Sequence, residues 1–164
     1  MKPRTIAIIQ ARMSSTRLPG KVLREIAGEP MLARVIERAK RAKLVDEVVL
    51  ATTTDPSDDP VAEFCAERGY NVTRGSLNDV LDRYYQAAKQ YDADVIVRLT
   101  ADCPVLDPDV VDETIAVIAN AEIATSQEHA PRSDECYLRA TKLKSTSDAA
   151  VYTDILSRDV SGVI

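Results

Sequence analysis

Three cations lie close together in a short polar stretch, residues 11–21. Arg12, Arg17 and Lys21 are interleaved there with hydroxyl side chains, among them Ser14. Arginine can hold phosphate oxygens bidentately, and lysine holds them as a point charge. These residue types in this pattern favour the binding of a polyphosphate. The alternative is a solvated basic loop, since exposed charges usually contribute only about 0–1 kcal/mol to stability.

A buried strand is predicted immediately before this stretch, at residues 5–10. Its nearly continuous apolar side chains are typical of a parallel strand that is covered on both faces and lies in the centre of a sheet. In open α/β sheets, ligands bind beyond the carboxyl ends of the strands, where the strand order reverses. A loop in that place brings its cations to one point, which favours phosphate binding over a solvated loop.

The chain up to residue 120 alternates between strands and helices. Further strands are predicted at residues 48–51, 70–73 and 94–100, and helices are predicted to begin at or next to Pro30, Pro60, Val80 and Pro108. This alternation is the signature of an α/β domain with a three-layer, doubly wound and mostly parallel sheet. The carboxyl-end rule then places the polar segments 52–59, 74–79 and 101–104 beside the cationic stretch.

Residues 121–164 differ in character from the nucleotide-binding domain predicted at residues 1–120. They hold polar clusters with weak periodicity, and two short segments, at residues 137–138 and 151–156, receive no firm assignment. We therefore expect an atypical C-terminal tail and not an independent domain.

Asp102 directly follows the strand predicted at residues 94–100 and precedes Cys103 and Pro104. A carboxylate at a strand end, aimed into a cleft, is a hard oxygen ligand that suits Mg²⁺ shared with a phosphate. The alternative is a structural role, because aspartate before a proline-containing segment often caps a turn. We favour the magnesium ligand.

Several familiar sites are excluded by their missing residues. The Gly-Lys pair at residues 20–21 suggests a P-loop, but that motif also requires a glycine at position 15 and a hydroxyl side chain at position 22. This sequence has Ser15 and Val22 at those positions, so the motif is excluded. The glycine pattern of a dinucleotide site is also absent. His129 is the single histidine and lies in the irregular tail, so Cys103 has no histidine partner signalled in the sequence and is interpreted as a wall residue of the cleft.

The composition limits the partners and the setting. A net charge of −5 argues against a general nucleic-acid binder, because affinity for the phosphate backbone needs an excess of cations on some face. No stretch approaches 18 apolar residues, so no membrane span is expected. The three cysteines lack the Cys-x-x-Cys spacing of a metal site, and a cytoplasmic setting is predicted.

Three separated segments resemble one known family. Residues 10–23, QARMSSTRLPGKVL, and the following residues 26–31 are similar to the opening signature of the cytidylyltransferases that activate acidic sugars, the superfamily of CMP-KDO and CMP-sialate synthetases. Residues 74–84, RGSLNDVLDRY, and residues 97–108, VRLTADCPVLDP, resemble more closely its spore-coat polysaccharide branch, the SpsF type. The resemblance covers about residues 4–120, and the segments occur in the order that the family has.

The resemblance implies a nucleotide-diphospho-sugar transferase fold of the GT-A-like type, with CTP as donor and a sugar as acceptor. It implies that a sugar hydroxyl attacks the α-phosphorus of CTP and releases pyrophosphate, in the synthesis of surface or spore-coat polysaccharide precursors. Arg12 and Lys21 would be the catalytic residues and Asp102 the Mg²⁺ ligand. The implied nucleotide-binding residues are Gln10, Ala11, Arg12, Ser14, Arg17, Lys21, Thr52, Thr53, Arg74, Asp79 and Thr100.

Members of this family continue well beyond the present length, with a second acidic metal site, much of the sugar pocket and a dimer surface. None of those motifs is found after Asn120, so the resemblance implies a truncated version, and a homodimer and the identity of the sugar stay open. Two other functions remain as alternatives. One is a non-catalytic or degenerate CTP-binding fragment, and the other is a glycosyltransferase that uses an activated nucleotide sugar.

Overall fold

The computed structural model describes residues 2–15, 17–120, 138–142 and 153–155. Its elements in chain order are β1 (Thr5–Gln10), β2 (Glu25–Ile26), β3 (Glu29–Pro30), α1 (Met31–Ala39), β4 (Glu47–Thr53), α2 (Asp59–Arg68), β5 (Asn71–Gly75), α3 (Val80–Gln90), β6 (Val95–Thr100), α4 (Pro108–Asn120), β7 (Leu138–Lys142) and β8 (Thr153–Ile155). Short 3₁₀ helices at Lys21–Leu23 and Pro56–Asp58 complete the described part.

The main sheet has the strand order β5-β4-β1-β6-β7-β8 among the described residues. Strand β1 pairs in parallel with β4 on one side and with β6 on the other. Strand β5 continues the parallel arrangement beyond β4, whereas β7 and β8 are antiparallel to their neighbours. The chain thus builds outward from β1 to β5 and then crosses back to β6, so the order reverses between β1 and β6.

The apolar run of β1 is buried on both faces, as its sequence predicts. Because side chains alternate across a strand, Ala7 and Ile9 face one layer of helices and Ile6 and Ile8 face the other. The first layer contains buried side chains of α1, α2 and α4, and the second is formed by α3; representative members are Leu32, Val35, Val61, Val111, Tyr84 and Ala87. The α/β, three-layer, mostly parallel fold is therefore confirmed.

The helices begin and end close to the predicted positions. In α1, the buried positions Leu32, Val35, Ile36 and Ala39 follow the spacing of an amphipathic helix. Pro30 lies one residue before that helix, at its N-cap. Helix α2 ends at Gly69, whose φ of 67° is the left-handed conformation expected of a C-terminal cap.

Two local features differ from the prediction or were missed. Thr52 and Thr53 were predicted in a loop, but they form the end of β4, because pairing with β5 continues through Thr52↔Arg74 and Thr53↔Gly75. The β2–β3 hairpin was not predicted, and its two-residue turn has positive φ at Ala27 and at the glycine that follows.

Part of the C-terminal segment also joins the sheet. Strand β7 at Leu138–Lys142 pairs with β6, and β8 at Thr153–Ile155 pairs with β7. The other tail predictions, including Tyr137, His129 and residues 151–152 and 156, lie outside the described residues. The domain boundary at residue 120 stays a prediction. Within the described part of the chain, no helix is both long enough and apolar enough to cross a membrane.

Candidate functional site

The predicted site residues follow or end four neighbouring parallel strands at one edge of the sheet. Gln10 ends β1 and is in register with Ala51 of β4 and with Thr100, the last residue of β6. Thr52 of β4 is in register with Arg74 of β5. Parallel strands place their carboxyl ends together, so the loops after β1, β4, β5 and β6 converge at this edge, as predicted.

The loop after β1 is closed by the backbone of Met13. The Met13 carbonyl accepts hydrogen bonds from the amides of Ser15 and Gly20, each at 2.9 Å. Gly20 has a φ of 69°, a left-handed conformation that glycine adopts without a steric penalty. This closure ties residues 13 and 20 together, so Arg12 and Lys21 stand at the two ends of a ring.

Three polar side chains of this loop are exposed, while the start of the loop is anchored in the sheet. Arg12, Ser14 and Arg17 are exposed. The amide of Ala11, which is buried, donates to the carbonyl of Ala51 at 3.2 Å. These exposed side chains thus lie on a loop whose origin is fixed by β4.

Lys21 and Asp102 meet across the point where the strand order reverses. Nζ of Lys21 lies 2.5 Å from Oδ2 of Asp102, and their side chains keep 31% and 44% of their surface exposed. One residue follows the loop after β1 and the other follows β6, so two segments 81 residues apart form one contact. Ligands of open α/β sheets bind at this position, and the pair combines a cation of the type that can bind phosphate with a carboxylate of the type that can bind Mg²⁺.

The carboxyl group of Asp102 is kept ionised by its neighbours. Partial burial raises its pKa, but hydrogen bonds with Lys21 and Thr100 and the Lys21 charge together outweigh that effect. The net result is a pKa below the ordinary value of 3.8. Asp102 is therefore a carboxylate at neutral pH, the form that can ligate a divalent cation.

The donor set fits a magnesium ion that is shared with a ligand. Among residues 2–15, 17–120, 138–142 and 153–155, no group of three or more histidine, cysteine or acidic side chains forms a cage for a metal. Mg²⁺ is commonly bound by one or two carboxylates, with waters and substrate phosphates as its other ligands. Asp102 is exposed and supplies one such carboxylate, which it would have to release from Lys21.

Arg74 and Asp79 lie beside the same edge but have contacts of their own. Nε of Arg74 donates to the carbonyl of Thr53 at 2.8 Å, and its Nη2 donates to Asp59 at 2.6 Å. Asp79 caps α3, where its carboxylate accepts the amide of Asp82 at 2.8 Å. The nucleotide-binding role predicted for these two residues stays a prediction.

The burial of three polar side chains beneath this edge was not predicted from the sequence. Asp58, Arg83 and Thr52 have at most 2% of their surface exposed. Nη1 of Arg83 donates to the carbonyls of Ser76 and Leu77, whereas its Nε and Nη2 and the Thr52 hydroxyl have no hydrogen-bond partner within the described residues. The available signal was the position of Arg83, which shares the buried face of α3 with Tyr84 and Ala87, where an apolar residue is expected.

Comparison with known proteins places these residues in a family. The sequence model of the family described as cytidylyltransferase matches residues 6–164. This match passes residue 120, where the resemblance of the separate motifs ends. A family model sums small residue preferences over many positions, so it can match a segment that holds none of the family's short motifs.

Individual relatives and solved structures indicate the same family. The spore coat polysaccharide biosynthesis protein SpsF of Bacillus subtilis is 40% identical over 112 residues, which is 66% of this chain and 47% of that protein. A cytidylyltransferase from Leptospira borgpetersenii superposes with a TM-score of 0.69 and 40% identity, over 73% of this chain and 50% of the other. A CMP:2-keto-3-deoxy-manno-octonic acid synthetase complexed with CTP gives a TM-score of 0.61 and 29% identity, over 71% of this chain and 48% of the other.

The chain spans about half the length of these relatives. The family match itself covers nearly the whole chain, and the solved relatives share its mostly parallel sheet. The chain belongs to the cytidylyltransferase family of nucleotidyltransferases.

Proposed function

We propose that this chain binds CTP with Mg²⁺ at the edge formed by β1, β4, β5 and β6, and transfers CMP to a sugar hydroxyl in the synthesis of a surface polysaccharide precursor. The observation that carries the proposal is the contact between Lys21 and Asp102 at the reversal of strand order. Support comes from the family match and from a solved relative that was complexed with CTP.

In the proposed reaction, Arg12 and Lys21 hold the triphosphate, with Arg17 and Ser14 on the same loop. The sugar oxygen forms a bond to the α-phosphorus, the bond from that phosphorus to the bridging oxygen breaks, pyrophosphate leaves, and the hydroxyl proton is lost to solvent. Charge accumulates on the phosphate oxygens, so fixed cations lower the barrier more than covalent catalysis would. A magnesium ion held by Asp102 would neutralise part of the same charge.

A second candidate function is a CTP-binding module without catalytic activity. It is favoured by the residues described at this edge, which are assigned to CTP or to Mg²⁺, whereas none of them is assigned to the sugar. Both functions require CTP binding, and they differ in turnover.

Two measurements test these functions. Isothermal titration with CTP, with and without Mg²⁺, is expected to show binding that Mg²⁺ strengthens, and the absence of Mg²⁺-dependent binding would overturn both candidates. A pyrophosphate-release assay with CTP and a panel of acidic and amino sugars then separates them. Release with any sugar supports the transferase, and binding without release supports the module. A glycosyltransferase would instead release a nucleotide from a nucleotide sugar.

A further inference from the structure

Asp58 is a fully buried carboxylate that connects two of the converging loops. It lies at the end of the 3₁₀ helix Pro56–Asp58, between β4 and α2. Its Oδ1 accepts the backbone amide of Met13 at 2.6 Å, and its Oδ2 accepts the hydroxyl of Thr53 at 2.5 Å. Both oxygens of a side chain with no exposed surface are thus used to bind the loop after β1 to the end of β4.

The residue that Asp58 holds is the one that closes the cationic loop. The amide of Met13 points to Asp58, while the carbonyl of Met13 accepts the amides of Ser15 and Gly20. Arg12 precedes Met13 and Lys21 follows Gly20. Fixing Met13 therefore fixes the separation of the two cations that flank the ring.

Two hydrogen bonds offset part of the cost of burying the Asp58 side chain. Burying a carboxylate is costly unless it is hydrogen-bonded and compensated by a nearby cation. Arg83 is buried nearby: burial lowers the pKa of its guanidinium below the ordinary value, and the charge of Asp58 opposes that effect.

From this geometry we infer that Asp58 is a positioning residue that sets the spacing of Arg12 and Lys21 for a triphosphate. It makes no contact with the ligand and acts through the Met13 backbone. The inference rests on the proposed binding of CTP at this edge.

A positioning role and a purely electrostatic role of Asp58 predict opposite changes in anion affinity when its carboxylate is removed. Removing an anion close to a cationic site should by itself strengthen the binding of another anion. If Asp58 positions the loop, its removal should weaken that binding, because hydrogen bonds from preorganised groups lose strength when the groups move apart.

The experiment uses inorganic tripolyphosphate and CTP as probes and compares Asp58→Ala with Asp58→Asn. Titration calorimetry on the folded proteins is expected to show at least a tenfold weaker affinity for both probes in Asp58→Ala. Asp58→Asn keeps an acceptor for the Met13 amide and should fall between Asp58→Ala and the wild type. Hydrogen exchange at the Met13 and Gly20 amides should accelerate in the same order, at least tenfold for Asp58→Ala.

The matched control is Asp46→Ala, at the opposite edge of the sheet. Asp46 likewise accepts a backbone amide, that of Thr5, at 2.8 Å. This variant should change exchange at Thr5 and leave tripolyphosphate affinity within twofold of wild type.

Unchanged or tighter probe binding by folded Asp58→Ala, with Met13 and Gly20 still protected, would overturn the inference, whatever happens to the melting temperature. Should Asp58→Ala not fold, Asp58→Asn is judged by the same two measurements. If the wild type binds neither probe, the proposed function fails, and exchange at Met13 and Gly20 alone decides whether Asp58 holds the loop.

Discussion

The ammonium group of Lys21 donates to the carboxylate of Asp102 over 2.5 Å, so the cation that we propose for phosphate binding is paired with the anion that we propose for Mg²⁺ binding. Both side chains are partly exposed, and a pair of this kind contributes about 0–1 kcal/mol to stability. The contact is therefore weak enough to open when phosphate and Mg²⁺ offer each side chain a better partner.

Replacing Lys21 should damage binding and turnover far more than folding. For Lys21→Ala we expect a loss of about 2.7–4 kcal/mol in transition-state stabilisation, the usual effect of removing one charge-stabilising donor. The free energy of unfolding should change by no more than about 1 kcal/mol, because the ion pair is exposed. Pyrophosphate release and urea unfolding measure the two effects.

The control for this variant is Lys2→Ala, which removes a cation from the opposite edge of the sheet. Lys2 also forms an exposed ion pair, with Asp46 at 3.0 Å. It should leave CTP affinity unchanged. A Lys21→Ala protein that unfolds readily, while its folded fraction binds CTP normally, would contradict the phosphate-binding role.

Replacing Asp102 should have opposite effects with and without magnesium. In Mg²⁺-free buffer, Asp102→Asn is expected to bind CTP at least as tightly as the wild type, because the change removes a negative charge and frees Lys21. With Mg²⁺ present, the variant should lose the enhancement that the wild type shows, since its amide is a poor ligand for that ion. Calorimetry under both conditions gives the comparison.

Asp94→Asn is the matched control, because Asp94 lies just before the other end of the same strand. Its carboxylate accepts the amide of Arg4 at 2.8 Å. It should keep the full Mg²⁺ enhancement. An equal enhancement in Asp102→Asn would show that the metal is held elsewhere.

The titration of Asp102 should respond to Lys21. Partial burial raises the pKa of Asp102, but hydrogen bonds with Lys21 and Thr100 lower it by more than burial raises it. The net pKa is therefore below 3.8. A carboxyl group whose folded-state pKa is depressed contributes stability above its unfolded-state pKa and loses it as the pH falls through the folded-state pKa, here below about 4. Carbon-13 NMR of the Asp102 carboxyl group should therefore show a higher pKa in Lys21→Ala, and no rise would mean that the ion pair is absent in solution.

Gly20→Ala should weaken ligand binding through the loop backbone. Its φ of 69° is unfavourable for a residue with Cβ, and a Cβ there would lie 3.3 Å from Cε of Met13. The left-handed conformation costs about 1–2 kcal/mol for such a residue. We expect that loss in the free energy of unfolding, together with a weaker affinity for CTP, both measured on the purified variant.

Gly69→Ala provides the comparison, since Gly69 has a φ of 67° and nothing within 4 Å of its added Cβ. It should lose a similar stability by ending α2 less well, and bind CTP as the wild type does. Equal CTP affinities in the two variants would rule out a role for the Gly20 turn in the site.

The sequence alone determined the local elements and the chemistry of the loop after β1. The apolar run at residues 5–10 predicted a central buried strand, and the spacing of Met31, Val35 and Ile36 predicted an amphipathic helix. Hydrophobic periodicity reports burial within a few residues of itself, and the types of Arg12 and Lys21 report the charge that they can bind. These properties are local, so they can be read without knowing where the other elements lie.

Only the tertiary structure decided which distant residues meet. Periodicity indicates that β6 exists but does not state that it lies beside β1, and this adjacency brings Asp102 to Lys21. Nor does any local pattern distinguish Asp58 from an ordinary helix-capping aspartate, because its burial depends on the Met13 backbone, 45 residues away. Contacts over such separations follow from strand order and layer packing, which the local pattern of side chains does not encode.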